Sequence, residues 1–349
     1  MTDMTHTQPG GLVMVDPDAL AAAAQAHTDS LRPANSTAAY AQDWATWVRY
    51  CRTAVGSAGC RVDPLAVTSA MVTAYAYWLW HVEGAPIATA RRRLTGLVVG
   101  LRARLGEDAV PHGLTRQARA NLTAYQRDAI AGGQRRRGRE RGQATAVTVD
   151  MLRAMVDTCD TDTLTGLRDR ALLLIGLSIA GRRAEVAGLR VADIEVSADG
   201  LTVRVLTTKL ASSRRTVVLP RLPRVAPVGP MMCPARAWET WADAAGLTAD
   251  DPAFLPLTKW GTVRPARSPM SPAAAGAVVT RRGEAAGIEA RLTGHGLRRG
   301  LATESRRAGH DRESIARQGG WAPGSRDLSG YIDMVDAWGR DNATTGVLG

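Results

Sequence analysis

GGQRRRGRERGQ, residues 132–143, is the stretch on which the architecture turns. It has no apolar periodicity, and its mixture of glycine and arginine suits neither a helix face nor a strand, so it reads as a linker. With its bounds set at 132–146, the chain divides into two parts of different pattern. Upstream, over about 16–131, the apolar spacing is helical throughout. In NSTAAYAQDWATWVRYC (35–51), Tyr40, Trp44, Trp47, Val48 and Cys51 fall on one stripe behind an Asn35/Ser36 cap signal, and the aromatics read as core. A second helix is expected from Ser69 to Trp80. A third follows Pro86, with Leu94, Leu97, Val98, Leu101 and Leu105 on one side and Arg91, Arg92, Arg93, Arg102 and Arg104 on the others. That arginine face is either simply solvated or set against phosphates. Residues 1–15 carry little pattern and are expected to be a flexible tail.

Downstream of the linker, helices are expected over 149–158 and 166–180. Two alternating, β-branched runs come next, LTVRVLTTKL (201–210) and RRTVVLPRL (214–222), which read as an antiparallel strand pair joined by a turn near 211–213. Further helices start behind Pro234, behind Ser271-Pro272, near Gly296 and near Arg312. The predicted fold is therefore mainly α. A helical domain (16–131) is succeeded by the arginine-rich linker, a mostly α domain (147–340) with one small antiparallel sheet, and a short tail (341–349).

Composition narrows the function classes. The 349 residues carry 44 Lys+Arg against 33 Asp+Glu, a formal charge of +11. Only Lys209 and Lys259 are lysines, which leaves 44 − 2 = 42 arginines. Arginine abundance reflects either bidentate phosphate contact or coding bias, but the sign of the charge points to a polyanionic partner under both readings. Cys51, Cys60, Cys159 and Cys233 form no C-x-x-C pair and have no histidine in zinc-ligand spacing, so neither a disulfide scaffold nor a zinc module is indicated. The N-terminal MTDMTHTQPG lacks the pattern of an export signal, and the longest apolar run, residues 171–181, is far shorter than a membrane span. A cytoplasmic protein without a membrane partner is expected. With no P-loop, no G-x-G-x-x-G after a strand, no H-E-x-x-H and no carboxylate cluster, no metal or other cofactor is expected.

The chemically active side chains of the second part are few. Beyond residue 142 there are two histidines, His295 and His310, a single tyrosine, Tyr331, and the two lysines. GRRAEVAGL (181–189) places Arg182 and Glu185 at the end of an apolar helix, where an intrahelical ion pair is the economical reading. TGHGLRRGLATES (293–305) puts His295 and Arg298 one turn apart on one helical face. Lys209 ends the first predicted strand. Trp321 lies in QGGWAPGS (318–325) and Tyr331 in LSGYIDM (328–334).

Taken in order and with these contexts, Arg182, Lys209, His295, Arg298, Trp321 and Tyr331 resemble the active-site series of the tyrosine recombinases, the phage-integrase family. The segment around Ser36, Thr37, Tyr40 and Trp44 is similar to that family's core-binding domain, so the resemblance spans about residues 17 to 340. It implies a SAM-like core-binding domain and a catalytic domain that form a C-shaped clamp on double-stranded DNA. It also implies a tetramer on paired core sites that carries out integration, excision or resolution through a 3′-phosphotyrosyl bond and a Holliday junction, in the nucleoid, with accessory DNA-bending proteins as possible partners.

The resemblance assigns roles as well. Tyr331 would be the nucleophile and His295 its general base, while Arg182 and Arg298 clamp the non-bridging oxygens in place of a metal ion. Lys209 would protonate the leaving 5′ oxygen, a task for which an amine is suited and a guanidinium is not. Trp321 would donate its indole N–H to the phosphate, and Glu185 would orient its neighbours. Arg91, Arg92 and Arg93, with Arg135, Arg136, Arg137, Arg139 and Arg141 of the linker, would face the DNA. Two features depart from the family pattern or leave it open. Trp321 and Tyr331 are ten residues apart, a longer interval than usual. In the tail, Trp338, Val347 and Leu348 either anchor on a neighbouring protomer or leave Trp338 packed on its own domain. Two alternatives share the chemistry or the fold: a monomeric type IB topoisomerase, and a DNA-binding protein without catalysis.

Overall fold

A computed structural model of the chain describes residues 5–7, 13–30, 34–53, 62–133, 144–206, 214–222, 230–338 and 342. It divides into two compact units, Met1–Gly142 and Gln143–Gly349. The division falls inside the predicted linker, whose residues 134–143 lie outside the described ones.

The first unit opens with two short strands, β1 (Thr5–Thr7) and β2 (Val13–Val15), paired antiparallel with Thr5 opposite Val15. The sequence reading expected a patternless tail here, but β-branched Thr and Val residues sit comfortably in a ladder. Five helices come after them: α1 (Pro17–Ser30), α2 (Ala34–Thr53), α3 (Ser69–His81), α4 (Ile87–Leu105) and α5 (Arg116–Ala131). α2 begins at Ala34, just ahead of the predicted cap. Thr68 caps α3 by accepting the Met71 N–H. Gly106, at φ +93°, ends α4 in a conformation an L side chain would resist. The core gathers Trp47, Cys51, Tyr75, Leu79, Leu94, Leu97, Leu101 and Leu122. Of the predicted stripes, Trp47, Cys51, Leu94, Leu97 and Leu101 are buried, whereas Leu105, on the last turn of α4, is exposed. α2 and α4 approach closely because α4 presents glycines. A Cβ on Gly96 would lie 2.4 Å from Asp43 Cβ, and one on Gly100 would lie 2.3 Å from Trp44 Cε3.

The second unit contains α6 (Val149–Asp157), α7 (Leu164–Ser178), α8 (Arg183–Ala187), β3 (Ile194–Val196), β4 (Gly200–Leu206) and β5 (Arg214–Pro220). After the sheet come α9 (Pro234–Ala244), α10 (Pro272–Ala285), α11 (Gly294–Arg307), α12 (Arg312–Gly319) and α13 (Arg326–Asp336). α7 is buried on every side from Gly166 to Gly176, which makes it the axis of this unit. Thr148, Thr163, Ser271, Asp311 and Ser325 each cap a helix through a side-chain oxygen.

The sheet runs β3-β4-β5, all antiparallel, with buried Leu201 opposite Leu219 and buried Val203 opposite Val217. The strand pair is as predicted. β3 is an addition, because three residues with a single buried side chain carry no readable alternation. β4 ends at Leu206, and both Lys209 and the turn at 211–213 lie outside the described residues. No helix among the described residues is long and apolar enough to cross a membrane.

α11 receives the start of this unit on its glycine face. The Val147 N–H donates to Gly296 O at 3.0 Å, and a Cβ on Gly300 would lie 2.2 Å from Val147 O. Replacing Gly300 with alanine therefore forces backbone from backbone. We expect it to destabilise the second unit by about 1–3 kcal/mol, measured as a lower denaturation midpoint for Gly300→Ala.

Candidate active site

Four chain segments meet where α7 ends. Past α7 the chain turns through Ala180, the one non-glycine residue of positive φ among those described, at +46°. That conformation costs about 1–2 kcal/mol and turns the Ala180 carbonyl toward α11. Arg182 then serves as the N-cap residue of α8. It therefore opens the next helix, whereas the sequence reading placed it at the end of the apolar one. Glu185, at the third position of α8, accepts the Arg182 backbone N–H at 3.0 Å and pairs with Arg182 Nη1 at 2.5 Å. Its Oε2 also lies 3.3 Å from Arg215 Nη2 on β5. The Glu185 side chain is fully enclosed. Burial pushes its pKa up, but the Arg182 N–H, the Arg182 guanidinium and Arg215 outweigh that and hold it below the usual carboxylate value.

Arg298 is the centre of the cluster. It is 2% exposed, and its Nη1 donates to both Ala180 O and Gly319 O at 2.6 Å. Its Cζ stacks 3.9 Å from the Trp321 ring centroid. Its Nη2 is buried with no hydrogen-bond partner. Burial, and then repulsion from Arg182, lowers its pKa to about 10, so it stays charged at neutral pH. Such a buried, charged and unsatisfied donor has the chemistry to receive an anion.

Arg215 repeats the bonding of Arg298 one residue along. Its Nη2 donates to Ile179 O at 2.8 Å and its Nη1 to Gln318 O at 2.6 Å. Two guanidiniums thus staple the end of α7 to the end of α12 through adjacent carbonyls. Gly320, in the left-handed region at φ +63°, makes room for this, because a Cβ there would lie 2.6 Å from Arg215 Cδ.

Beyond Gly320 the chain passes Trp321, turns through residues 322–325, and enters α13 behind the Ser325 cap. The interval of ten residues does not separate the two aromatics, whose ring centroids are 6.4 Å apart. Tyr331 is 8% exposed, and its Oη lies 3.0 Å from His295 Nε2. Burial and then Asp327 raise the Tyr331 pKa, against Arg299 and Arg298. Burial and then Arg298 lower that of His295, against Asp327. Both shifts favour the uncharged forms, so a neutral imidazole and a protonated phenol share this hydrogen bond.

The structure thus gathers Arg182, Glu185, His295, Arg298, Trp321 and Tyr331 into one site, while Lys209 lies outside the described residues. Arg215 and Arg299 were not singled out from the sequence. Arg215 sits in a strand pattern, and nothing in that pattern tells an inward arginine from an outward one. The arginines proposed for DNA contact all have protein partners where they are described. Arg91 donates to Thr123, Arg92 pairs with buried Asp43 at 2.6 Å, and Arg93 lies 3.8 Å from Glu83. Arg91 and Arg92 nevertheless remain exposed. Arg135, Arg136, Arg137, Arg139 and Arg141 lie outside the described residues.

A mainly helical domain with a small antiparallel sheet thus brings a tyrosine, a histidine and paired arginines together. The chain belongs to the phage integrase family, whose model matches residues 146–334. An integrase/recombinase xerD homolog of Selenomonas ruminantium is 24% identical over 287 residues, which cover 81% of this chain and 77% of that protein. Among solved structures, a lambda integrase dimer bound to a COC′ core site superposes with a TM-score of 0.57 at 12% identity, covering 88% of this chain and 75% of that one. The Tn1549 transposon integrase in complex with transposon right end DNA gives 0.56 at 12% identity, covering 93% and 96%. XerH site-specific recombinase in a pre-cleavage complex with its difH substrate gives 0.55 at 15% identity, covering 88% and 79%.

The lowered His295 pKa has a stability consequence. A group that protonates more readily unfolded than folded makes the unfolded state gain protons first as pH falls, so its contribution is present above the ordinary histidine value, about 6.5, and lost below it. Thermal melts should therefore show wild type losing ground to His295→Gln as pH is lowered through that value.

Proposed function

We propose that the protein is a site-specific DNA recombinase that cleaves and rejoins strands through a 3′-phosphotyrosyl intermediate and a Holliday junction. The observation that carries this reading is the 3.0 Å contact between Tyr331 Oη and His295 Nε2, beside the unpartnered, charged Nη2 of Arg298. In the proposed step, Tyr331 Oη attacks the scissile phosphorus as its proton passes to His295. The 5′ oxygen leaves with a proton from Lys209, and the phosphodiester energy is kept in the new ester. Arg298 and Arg182 carry the growing charge on the non-bridging oxygens, and Trp321 adds its indole N–H. Religation is the reverse step, with the 5′ hydroxyl of the partner strand as nucleophile.

Tyr331 lies against the His295 of its own chain, which supports cleavage in cis. Exposed Arg91 and Arg92, with Arg93 and the linker arginines, would contact DNA phosphates. A tetramer on paired core sites would carry out the two strand exchanges in the cytoplasm, on the nucleoid, with DNA-bending proteins assisting where a site requires it. Trp338 is 93% exposed and so does not pack on its own domain. This favours the reading in which the tail docks on a neighbouring protomer.

A suicide DNA substrate carrying the core site tests the proposal. Wild type should accumulate a covalent protein–DNA adduct, Tyr331→Phe should form none, and Arg298→Ala should slow its formation by about 10²–10³-fold. Absence of adduct from wild type would overturn it. Relaxation of supercoiled plasmid regardless of sequence would replace it with a topoisomerase.

A further inference from the structure

Arg299 lies next to Arg298 on α11 and is 7% exposed, yet it has no part in the reaction steps above. A second buried guanidinium beside the first is costly unless it is well held, and no carboxylate pairs with it among the described residues. Its contacts lie elsewhere. Nη1 donates to Ala144 O at 2.9 Å, Nη2 lies 3.7 Å from Met334 Sδ, and Cζ sits 5.4 Å from the centroid of the Tyr331 ring. Met334 and Tyr331 are one turn apart on α13, so a single planar group grips the Tyr331 helix at two points. The Nη1 bond reaches the start of the second unit, which α11 beds on Gly296 and Gly300.

We propose that Arg299 is a positioning residue for the nucleophile, holding the Tyr331 ring against His295 through a cation–π contact and tying α13 to the backbone at Ala144. The inference rests on the reading of Tyr331 as the nucleophile. Planarity matters here, because a guanidinium can cover a ring and hydrogen-bond at its edge together, which an ammonium cannot.

The charge of Arg299 adds to the geometry. It favours the ionised phenol and the uncharged imidazole, acting with Arg298 of α11 on both groups and with Arg182, before α8, on His295; Asp327 of α13 opposes on both. Removing the charge makes both Tyr331 and His295 hold their protons more tightly. The acid limb of the cleavage profile then moves to higher pH whichever of the two limits the rate.

The test is single-turnover adduct formation on the suicide substrate at saturating DNA across pH, for wild type, Arg299→Met and Arg299→Lys. Arg299→Met should bind DNA as wild type does, cleave on the order of 10²-fold more slowly, and show its acid limb displaced to higher pH. Arg299→Lys should return the limb toward its wild-type position while recovering only part of the rate. The His295 ring is also titrated by NMR in DNA-free protein, assigned with His295→Gln, and should move upward in Arg299→Met. If Arg299→Met does not melt cooperatively, Arg299→Gln takes its place in both measurements. Wild-type rate and profile in the charge-removing variant would overturn the proposal. So would a slower rate with neither the limb nor the His295 titration displaced, which would mark a purely structural residue. If wild type itself forms no adduct, the recombinase reading fails, while the His295 titration still decides what the Arg299 charge does.

Discussion

The second unit depends on one buried hydrogen-bonding arrangement, the Arg298 guanidinium shared between the carbonyls of Ala180 and Gly319. Those carbonyls close two helices that are far apart in sequence, so a single side chain from α11 sets how α7 and α12 end relative to each other. The turn at Ala180, unfavourable by itself, persists because this bond and the Arg215 bond to Ile179 O hold it from both sides. A residue of the site stands just past each helix end. Arg182 comes two residues after Ala180, and Trp321 two residues after Gly319. The geometry of the site is thus inherited from helix termini, where backbone carbonyls have no partners of their own and need donors.

Charge balance explains why the site remains open to an anion. Of the carboxylates near this cluster, Glu185 is committed to Arg182 and Arg215, and Asp327 acts on His295 and Tyr331. Arg298 receives no carboxylate and directs its charge at carbonyl dipoles and the Trp321 ring. Burial, and then the positive charge of Arg298, disfavours protonation of His295. In the free protein, burial and Asp327 still keep the Tyr331 phenol protonated.

In the first unit the arginines of α4 have protein partners that a count of charges does not show. Arg91, Arg92 and Arg93 look like a basic face in the sequence, yet Arg92 answers buried Asp43 on α2, Arg91 reaches Thr123 on α5, and Arg93 lies near Glu83 beyond α3. Asp43 itself sits where Gly96 leaves space, so the glycine and the arginine of α4 together admit a carboxylate into the helix interface. A run of like charges does not disclose such pairings, because each partner comes from a different segment of the chain.

The sequence by itself determined the two-part division, the mainly helical character and the one strand pair, because these depend on periodicity, caps and breakers that act within a few residues. It also singled out His295 and Tyr331, which are scarce in a chain written mostly in arginine, while the roles proposed for them came from the family resemblance. Short elements such as α8 and β3 escaped it, having too few residues to show a period. Only the tertiary structure decided that Arg182 opens a helix, that Arg215 and Arg299 belong to the site, and that Tyr331 meets His295. The last two depend on contacts between segments that are tens to more than a hundred residues apart. Such contacts are set by how helix ends pack and which carbonyls are left to satisfy, and local pattern carries no record of either.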